Sequence, residues 1–356
     1  MTNKIIYNNE VYKALFFIVF IIKLIVFILI VENYTFESDA EGYHLEALGY
    51  YDEINFTNFF GNLLYFLNKY GLYNRSYLTY FIFFISAIPI PLLISYNVQK
   101  MIESKRNKIF WLTALIISLY PSLTIFSFDI LRDIIMVFIF LIAITFIHIS
   151  IKSNKISNKA LFLIIYIIIS IHLYDWRNYL GASMLISIFF YQVLKLNILS
   201  FRNLIIIYFI LIGLIYSIGL LDGILTYRLG FREGGSTLGI KLVERNLIEF
   251  YIMYSYSSFL QMFSFYFINK GSLFVFILES IPFIVSLYYI IKNKIYLSHF
   301  HKFLLTFFII YGTIWLLGND NLGTAIRLRM FNYLVIFMIA ISIYHNKKYI
   351  IKRGYV

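Results

Sequence analysis

Residues 12–31 read YKALFFIVFIIKLIVFILIV, twenty positions in which Lys13 and Lys23 are the only charges. As a helix, a run of that length is about 30 Å long, which matches the hydrocarbon core of a bilayer. Backbone N–H and C=O groups find no water in lipid, so such a run must bond them internally as a helix. Comparable runs recur near residues 77–96, 109–128, 134–151, 161–174, 180–196, 204–221, 273–291, 303–317 and 330–344. Hydrophobic residues make up 61% of the 356-residue chain and charged residues 13%, which excludes an ordinary soluble domain. The expected fold is all-α, a polytopic integral membrane helix bundle of about ten transmembrane helices. It forms a single integral membrane domain over residues 1–356, with outer loops 32–76 and 222–272. The first run lacks a small-residue cleavage site behind it, so it reads as a retained span rather than a signal peptide.

The charges divide between alternate gaps. Lys100, Lys105, Arg106 and Lys108 fill one, then Lys152, Lys155 and Lys159, Lys195 and Arg202, Lys292, Lys294 and Lys302, and finally Lys347, Lys348, Lys352 and Arg353. By the positive-inside tendency these gaps are cytoplasmic, and both termini with them. The other gaps, 32–75, 129–133, 175–177, 222–270 and 320–329, hold nearly all the carboxylates. The formal charge of +12 is scattered between apolar runs rather than gathered in a patch, so no nucleic-acid partner is expected. Residues 250–268 are long enough to span but would invert everything after them. Their tyrosines and serines suit an interfacial or re-entrant segment. Pro89-Ile90-Pro91 is expected to kink the second span.

With no cysteine, disulfides, thiolate catalysis and Cys-based metal sites are excluded. His299 and His301 lack carboxylate neighbours in sequence, so neither a metal site nor a cofactor is expected. The 32 Tyr and 38 Phe are mostly aromatic belts at helix ends, with sugar stacking reserved for outer-loop residues such as Tyr43, Tyr50 and Tyr51.

Five outer stretches carry candidate chemistry. In the first loop, Glu37-Ser38-Asp39-Ala40-Glu41-Gly42-Tyr43-His44-Leu45-Glu46 concentrates four acids and an imidazole. Asp39 and Glu41 point the same way in an extended segment, and Glu41 and His44 share a face in a helix; either presents an acid/base pair. A solvated acidic loop is the alternative. Asp129, Arg132 and Asp133 are spaced to share a helical face at a hairpin's outer end, as binding groups or as a self-neutralising cap. Arg177 occupies the next hairpin, after His172, which reads as a packed interfacial residue. In the long loop, Arg228 with Arg232 and Lys241 with Arg245 are i,i+4 pairs that converge if helical, on either side of Gly234-Gly235-Ser236. Arginine forks match phosphate oxygens, so these read as anion-binding groups or as a plain surface loop. Arg327 and Arg329 lie in the lead-in to the last span against the positive-inside trend, which a bound anion or lipid phosphates would relieve. Lys23 and Glu279 lie inside spans and can pair or line a path.

Ser38-Asp39-Ala40-Glu41-Gly42-Tyr43-His44, Tyr120-Pro121-Ser122 with Phe128-Asp129-Ile130-Leu131-Arg132-Asp133, Phe231-Arg232-Glu233-Gly234-Gly235-Ser236 and Gly323-Thr324-Ala325-Ile326-Arg327-Leu328-Arg329 are spread over the whole chain. In these stretches the chain resembles bacterial O-antigen and capsule repeat-unit polymerases of the Wzy kind and related membrane glycosyltransferases that use polyprenyl-linked sugars. The resemblance implies an enzyme of the bacterial cytoplasmic (inner) membrane. Its partners would be an undecaprenyl-linked glycan donor and acceptor, the lipid bilayer and a chain-length regulator membrane protein. Asp39 would match the first-loop acid of the lipid-phosphosugar transferases, whose adjacent acidic pair is here split by Ala40. Arg232 and Arg245 would match the basic residues that hold the lipid diphosphate. Asp39, Glu41 and His44 are then the expected catalytic residues, and Arg132, Asp133, Arg177, Arg228, Arg232, Arg245, Arg327 and Arg329 the expected substrate-binding ones. Single-sugar transfer and flipping of a lipid-linked oligosaccharide are the alternative activities.

Overall fold

The computed structural model describes residues 2–33, 39–50, 59–102, 107–195, 200–233, 236–267 and 269–352, and these are all-helical apart from one isolated bridge between Thr237 and Asn321. The chain divides into two compact units, Met1–Gly181 with Met338–Val356, and Ala182–Phe337.

The first unit contains α1 (Thr2–Asn33), α2 (Asp39–Ala47), α3 (Phe59–Lys69), α4 (Arg75–Ala87), α5 (Pro89–Met101), α6 (Asn107–Ser118), α7 (Pro121–Ile125), α8 (Arg132–Lys152), α9 (Ile156–Trp176) and the start of α10 (Asn178–Lys195). The helix α1 lays Phe16 against Trp111 of α6 and stacks Phe27 on Phe83 of α4 at 4.2 Å. Asn74 caps α4 by accepting from the Tyr77 amide at 3.0 Å, and Pro89 opens α5, so the second span is interrupted at Ile88. The helices α9 and α10 meet at Gly181, where a Cβ would run into the Ser170 carbonyl and the Tyr174 backbone, so only glycine allows that approach.

The second unit contains the rest of α10, α11 (Phe201–Ser217), α12 (Asp222–Leu229), α13 (Leu247–Phe263), α14 (Lys270–Val275), α15 (Ile281–Lys292), α16 (His299–Gly318) and the first half of α17 (Leu322–Lys352). A π-turn, Phe276–Ser280, joins α14 to α15. Ser298 and His301 form a reciprocal capping box at the start of α16, which gives His301 a structural role.

Among the described residues, seven helices are long and apolar enough to cross a membrane: Glu10–Val31, Arg75–Met101, Arg132–Lys152, Ile156–Trp176, Lys270–Lys292, His299–Gly318 and Leu322–Lys348. The remaining three of the ten expected spans are broken, short or bent. Residues 109–128 do not form one span, because Pro121 starts a new five-residue helix after the twelve residues of α6. Asn178–Leu194 falls just short in length, and Arg202–Ser217 with Asp222–Leu229 is a pair bent by 79°. The stretch expected to be interfacial or re-entrant is the 17-residue α13, whose Tyr254, Ser257 and Gln261 are buried.

The segment expected as an outer loop at 32–76 holds two helices, α2 and α3, and that at 222–272 holds α12 and α13. Tyr43 is buried edge-on against Phe60, with centroids 5.0 Å apart, so it is not an exposed stacking surface; Tyr50 is exposed, and Tyr51 lies outside the described residues.

In the first unit the charges separate to opposite helix ends. The start of α8 carries Arg132 and Asp133, and its end carries Lys152, whose ammonium reaches the Lys100 carbonyl at the end of α5. Asn346 of α17 donates to the Met101 carbonyl at that same end. With 21 residues in α8 the two ends are about 30 Å apart.

Candidate functional site

The acid-bearing end of the first unit brings five segments together. The helix α2 begins at Asp39, so the helical alternative holds: Glu41 and His44, three apart, share a face. Arg75, the first residue of α4, lies between two carboxylates. Its Nε and Nη2 fork onto Asp129 Oδ1 and Oδ2 at 3.2 and 2.8 Å, and its Nη1 donates to Glu41 Oε2 at 2.6 Å. Side-chain exposure falls from 46% at Glu41 to 24% at Arg75 and 9% at Asp129, so the guanidinium is anchored from behind and faces outward toward Glu41. Asp129 precedes α8 and also accepts from the Ile130 amide at 2.7 Å, so it does not share a helical face with Arg132 and Asp133 as the spacing suggested.

His44 Nδ1 and the Tyr73 hydroxyl are 2.8 Å apart. Burial, with the nearby Asp129 and Glu41 charges, pushes the Tyr73 phenol up to about 12 against the opposing pull of Arg75. The phenol therefore stays protonated at neutral pH and holds the imidazole in place. Asp39 is exposed at the first turn of α2.

Beside this cluster, Arg132 Nη1 donates to the Trp176 carbonyl at 2.6 Å and Asp133 pairs with Arg177 at 2.9 Å. Both members of that pair are buried, and Arg177 also lies 5.6 Å over the Tyr179 ring. The Asp133–Arg177 pair thus ties one hairpin to the next instead of neutralising within one. Trp176 packs on Phe59 and Phe60 of α3 and donates to His172 Nε2 at 3.0 Å, which fixes α2 and α3 over the end of α9 and makes His172 a packing residue.

The second unit treats its arginines differently. Arg228 is 1% exposed, and all five guanidinium hydrogens have partners. Its Nε donates to the Ile240 carbonyl at 3.0 Å, Nη1 to the Leu316 carbonyl at 2.9 Å and to that of Asn319, and Nη2 to Ser257 Oγ at 2.7 Å and to Asp320. No N–H is left for a phosphate, which corrects the expectation for Arg228. Asp320 accepts the Gly239 amide at 2.9 Å as well, pinning residues 237–240 to the lead-in of α17. Burial pushes the Asp320 carboxyl up, outweighing Arg228 and the backbone amides that pull it down.

Arg329 is buried beside Glu279 of the π-turn at 3.3 Å, donates to Ser264 Oγ and lies 5.0 Å from the Tyr333 ring centre. It faces inward rather than toward an anion at the membrane surface, and it is the partner of Glu279 that sequence spacing did not identify. The helix α12 ends at Leu229 and residues 241–245 are not helical, so the α-helical backbone on which either i,i+4 pairing depended is absent. Arg245 Nε turns back to the Lys241 carbonyl at 2.7 Å, the Arg232 side chain lies outside the described residues, and Arg327 is half-buried. Among the described residues no group of three or more His, Cys, Asp or Glu is placed to hold a metal ion.

Arg75 is the member of the site that sequence reasoning missed. The available signal was an arginine at the start of a span on the acid-rich side, where it opposes the helix dipole unless carboxylates surround it. Comparison with known proteins finds no matching family model, no matching curated protein and no matching solved structure.

Proposed function

We propose that the chain is a multi-pass membrane glycosyltransferase that takes its sugar from a polyprenyl (di)phosphate carrier, with the chemistry at the Glu41–Arg75–Asp129 cluster. The observation that carries the reading is a half-exposed carboxylate and a histidine on one face of α2, beside a guanidinium anchored by a buried aspartate at the ends of spanning helices. An acceptor hydroxyl attacks the anomeric carbon, its proton passes to Glu41, and the sugar–phosphate C–O bond breaks with its electron pair leaving on the phosphate oxygen. A cation at that oxygen stabilises the leaving group, and the membrane depth suits a lipid-borne headgroup. Asp39 and His44 flank the base, while Arg132 and Arg177 brace the helices that carry it.

Polymerisation of lipid-linked repeat units, as O-antigen and capsule polymerases perform it, is the first form of this activity. Transfer of a single sugar is the second, and one observation favours it: residues 222–267 carry helices and a latched Arg228 in place of an open arginine-rich loop.

The test is reconstitution in proteoliposomes with polyprenyl-linked sugar donors, together with a deletion strain. Loss of long-chain surface polysaccharide supports polymerisation, and a repeat unit lacking one sugar supports single-sugar transfer. An unaltered polysaccharide ladder with no glycosidic bond formed in the vesicles, whether or not lipid-linked sugar moves across them, contradicts both.

A further inference from the structure

Arg75 offers its guanidinium in two directions of different character. Its inner edge is fixed by the bidentate bond to Asp129, a carboxylate only 9% exposed that keeps the arginine aligned. The outer contact is a single hydrogen bond to Glu41, which is about half exposed and stands in the first turn of the short helix α2. An exposed ion pair is worth only about 0–1 kcal/mol, because water solvates the freed carboxylate almost as well. The outward N–H groups of Arg75 are therefore held by an anionic group that is cheap to remove.

We propose that Glu41 is a displaceable stand-in for a substrate phosphate. In the free protein it occupies the outer face of Arg75, and a phosphate ester headgroup takes that face while Glu41 rotates away into water. The inference rests on the proposed function for its ligand class and deepens it by assigning Glu41 two successive partners. Bound phosphate holds Arg75, and Glu41, released from the guanidinium, is left free to accept a proton. Because carboxylate and phosphate compete for the same donors, removing the Glu41 charge strengthens phosphate binding, the reverse of what loss of a ligand-contacting residue does.

Binding of geranylgeranyl phosphate, geranylgeraniol and inorganic phosphate to the purified full-length protein in detergent tests this by calorimetry, with no transfer step in the readout. Glu41→Gln is expected to bind geranylgeranyl phosphate about two- to fivefold more tightly than wild type, with no gain for geranylgeraniol. Arg75→Gln and Arg75→Lys are expected to lose the binding, the second because one ammonium cannot serve Asp129 and a phosphate in the same fork geometry. Equal or weaker binding by folded Glu41→Gln overturns the proposal, and since Glu41 is a surface group this variant decides the matter even if the Arg75 variants misfold. A matching gain for inorganic phosphate supports the same site with a soluble phosphate as its source. Tighter binding by Glu41→Gln without any sugar transfer by wild type would sink the transferase reading alone; transfer without tighter binding would sink this inference alone.

Discussion

Replacing Asp320 with alanine is expected to remove about 3–5 kcal/mol of stability and most of the folded protein from a detergent extract. The loss is not mainly that of an attraction. Burial pushes the Asp320 carboxyl up even with Arg228 beside it, so placing this pair away from water is itself unfavourable. The penalty of the variant comes from what stays behind, a guanidinium 1% exposed with a positive charge and one fewer acceptor. The Gly239 amide loses its acceptor too, while the Leu238 amide keeps the backbone carbonyl of residue 320. The double variant Arg228→Met/Asp320→Leu is expected to recover only part of the loss, because the buried Leu316 carbonyl and the part-buried Ile240 carbonyl are left without that donor. Thermal unfolding followed by size-exclusion chromatography measures both, and an Asp320→Ala protein melting within about 2 °C of wild type would show that the node is not structural.

Glu41→Gln is expected to lower sugar transfer by about 10²–10⁴-fold while leaving the melting temperature unchanged. Glutamine keeps the size of the side chain and a hydrogen-bond acceptor for Arg75, but it cannot take the proton of the attacking hydroxyl. The exposed position of Glu41 means that its charge contributes little to folding. Transfer of a labelled sugar from a polyprenyl-linked donor in proteoliposomes reads the rate. A variant retaining more than about half of the wild-type rate would remove Glu41 from the chemistry, since a general base contributes far more than twofold.

The helices were legible in the sequence because insolubility in water and internal backbone bonding are local properties of an apolar run. The break at Pro89 was readable for the same reason, since proline acts on its own turn. The helix break before Pro121 carries the same signal, but the hydropathy around it is continuous and conceals it. The gathering of acids at one end of the first unit was also readable, from the alternation of charge between gaps. The partners were not. Arg228 and Asp320 are separated by 92 residues, Arg329 and Glu279 by 50, and Arg75 and Asp129 by 54, and nothing in local spacing joins such pairs. Arginines on the acid-rich side look alike in sequence whether they face a ligand or a carboxylate of their own chain. Arg228, with every donor engaged inside the protein, and Arg75, with one face turned outward, show how different the two cases are.

The most direct test of the central claim, that the Glu41 end of the first unit is an aqueous face opposite its lysine-bearing end, is cysteine labelling. The chain has no cysteine, so single substitutions report without background. Asp39, Asp175 and Lys155 are all exposed, the first two at the acid-bearing end and the third at the other. In intact cells a membrane-impermeant maleimide is predicted to label Asp39→Cys and Asp175→Cys, and to label Lys155→Cys only after permeabilisation. Labelling of Asp39→Cys and Lys155→Cys from the same side, or of Asp39→Cys and Asp175→Cys from opposite sides, would contradict the account.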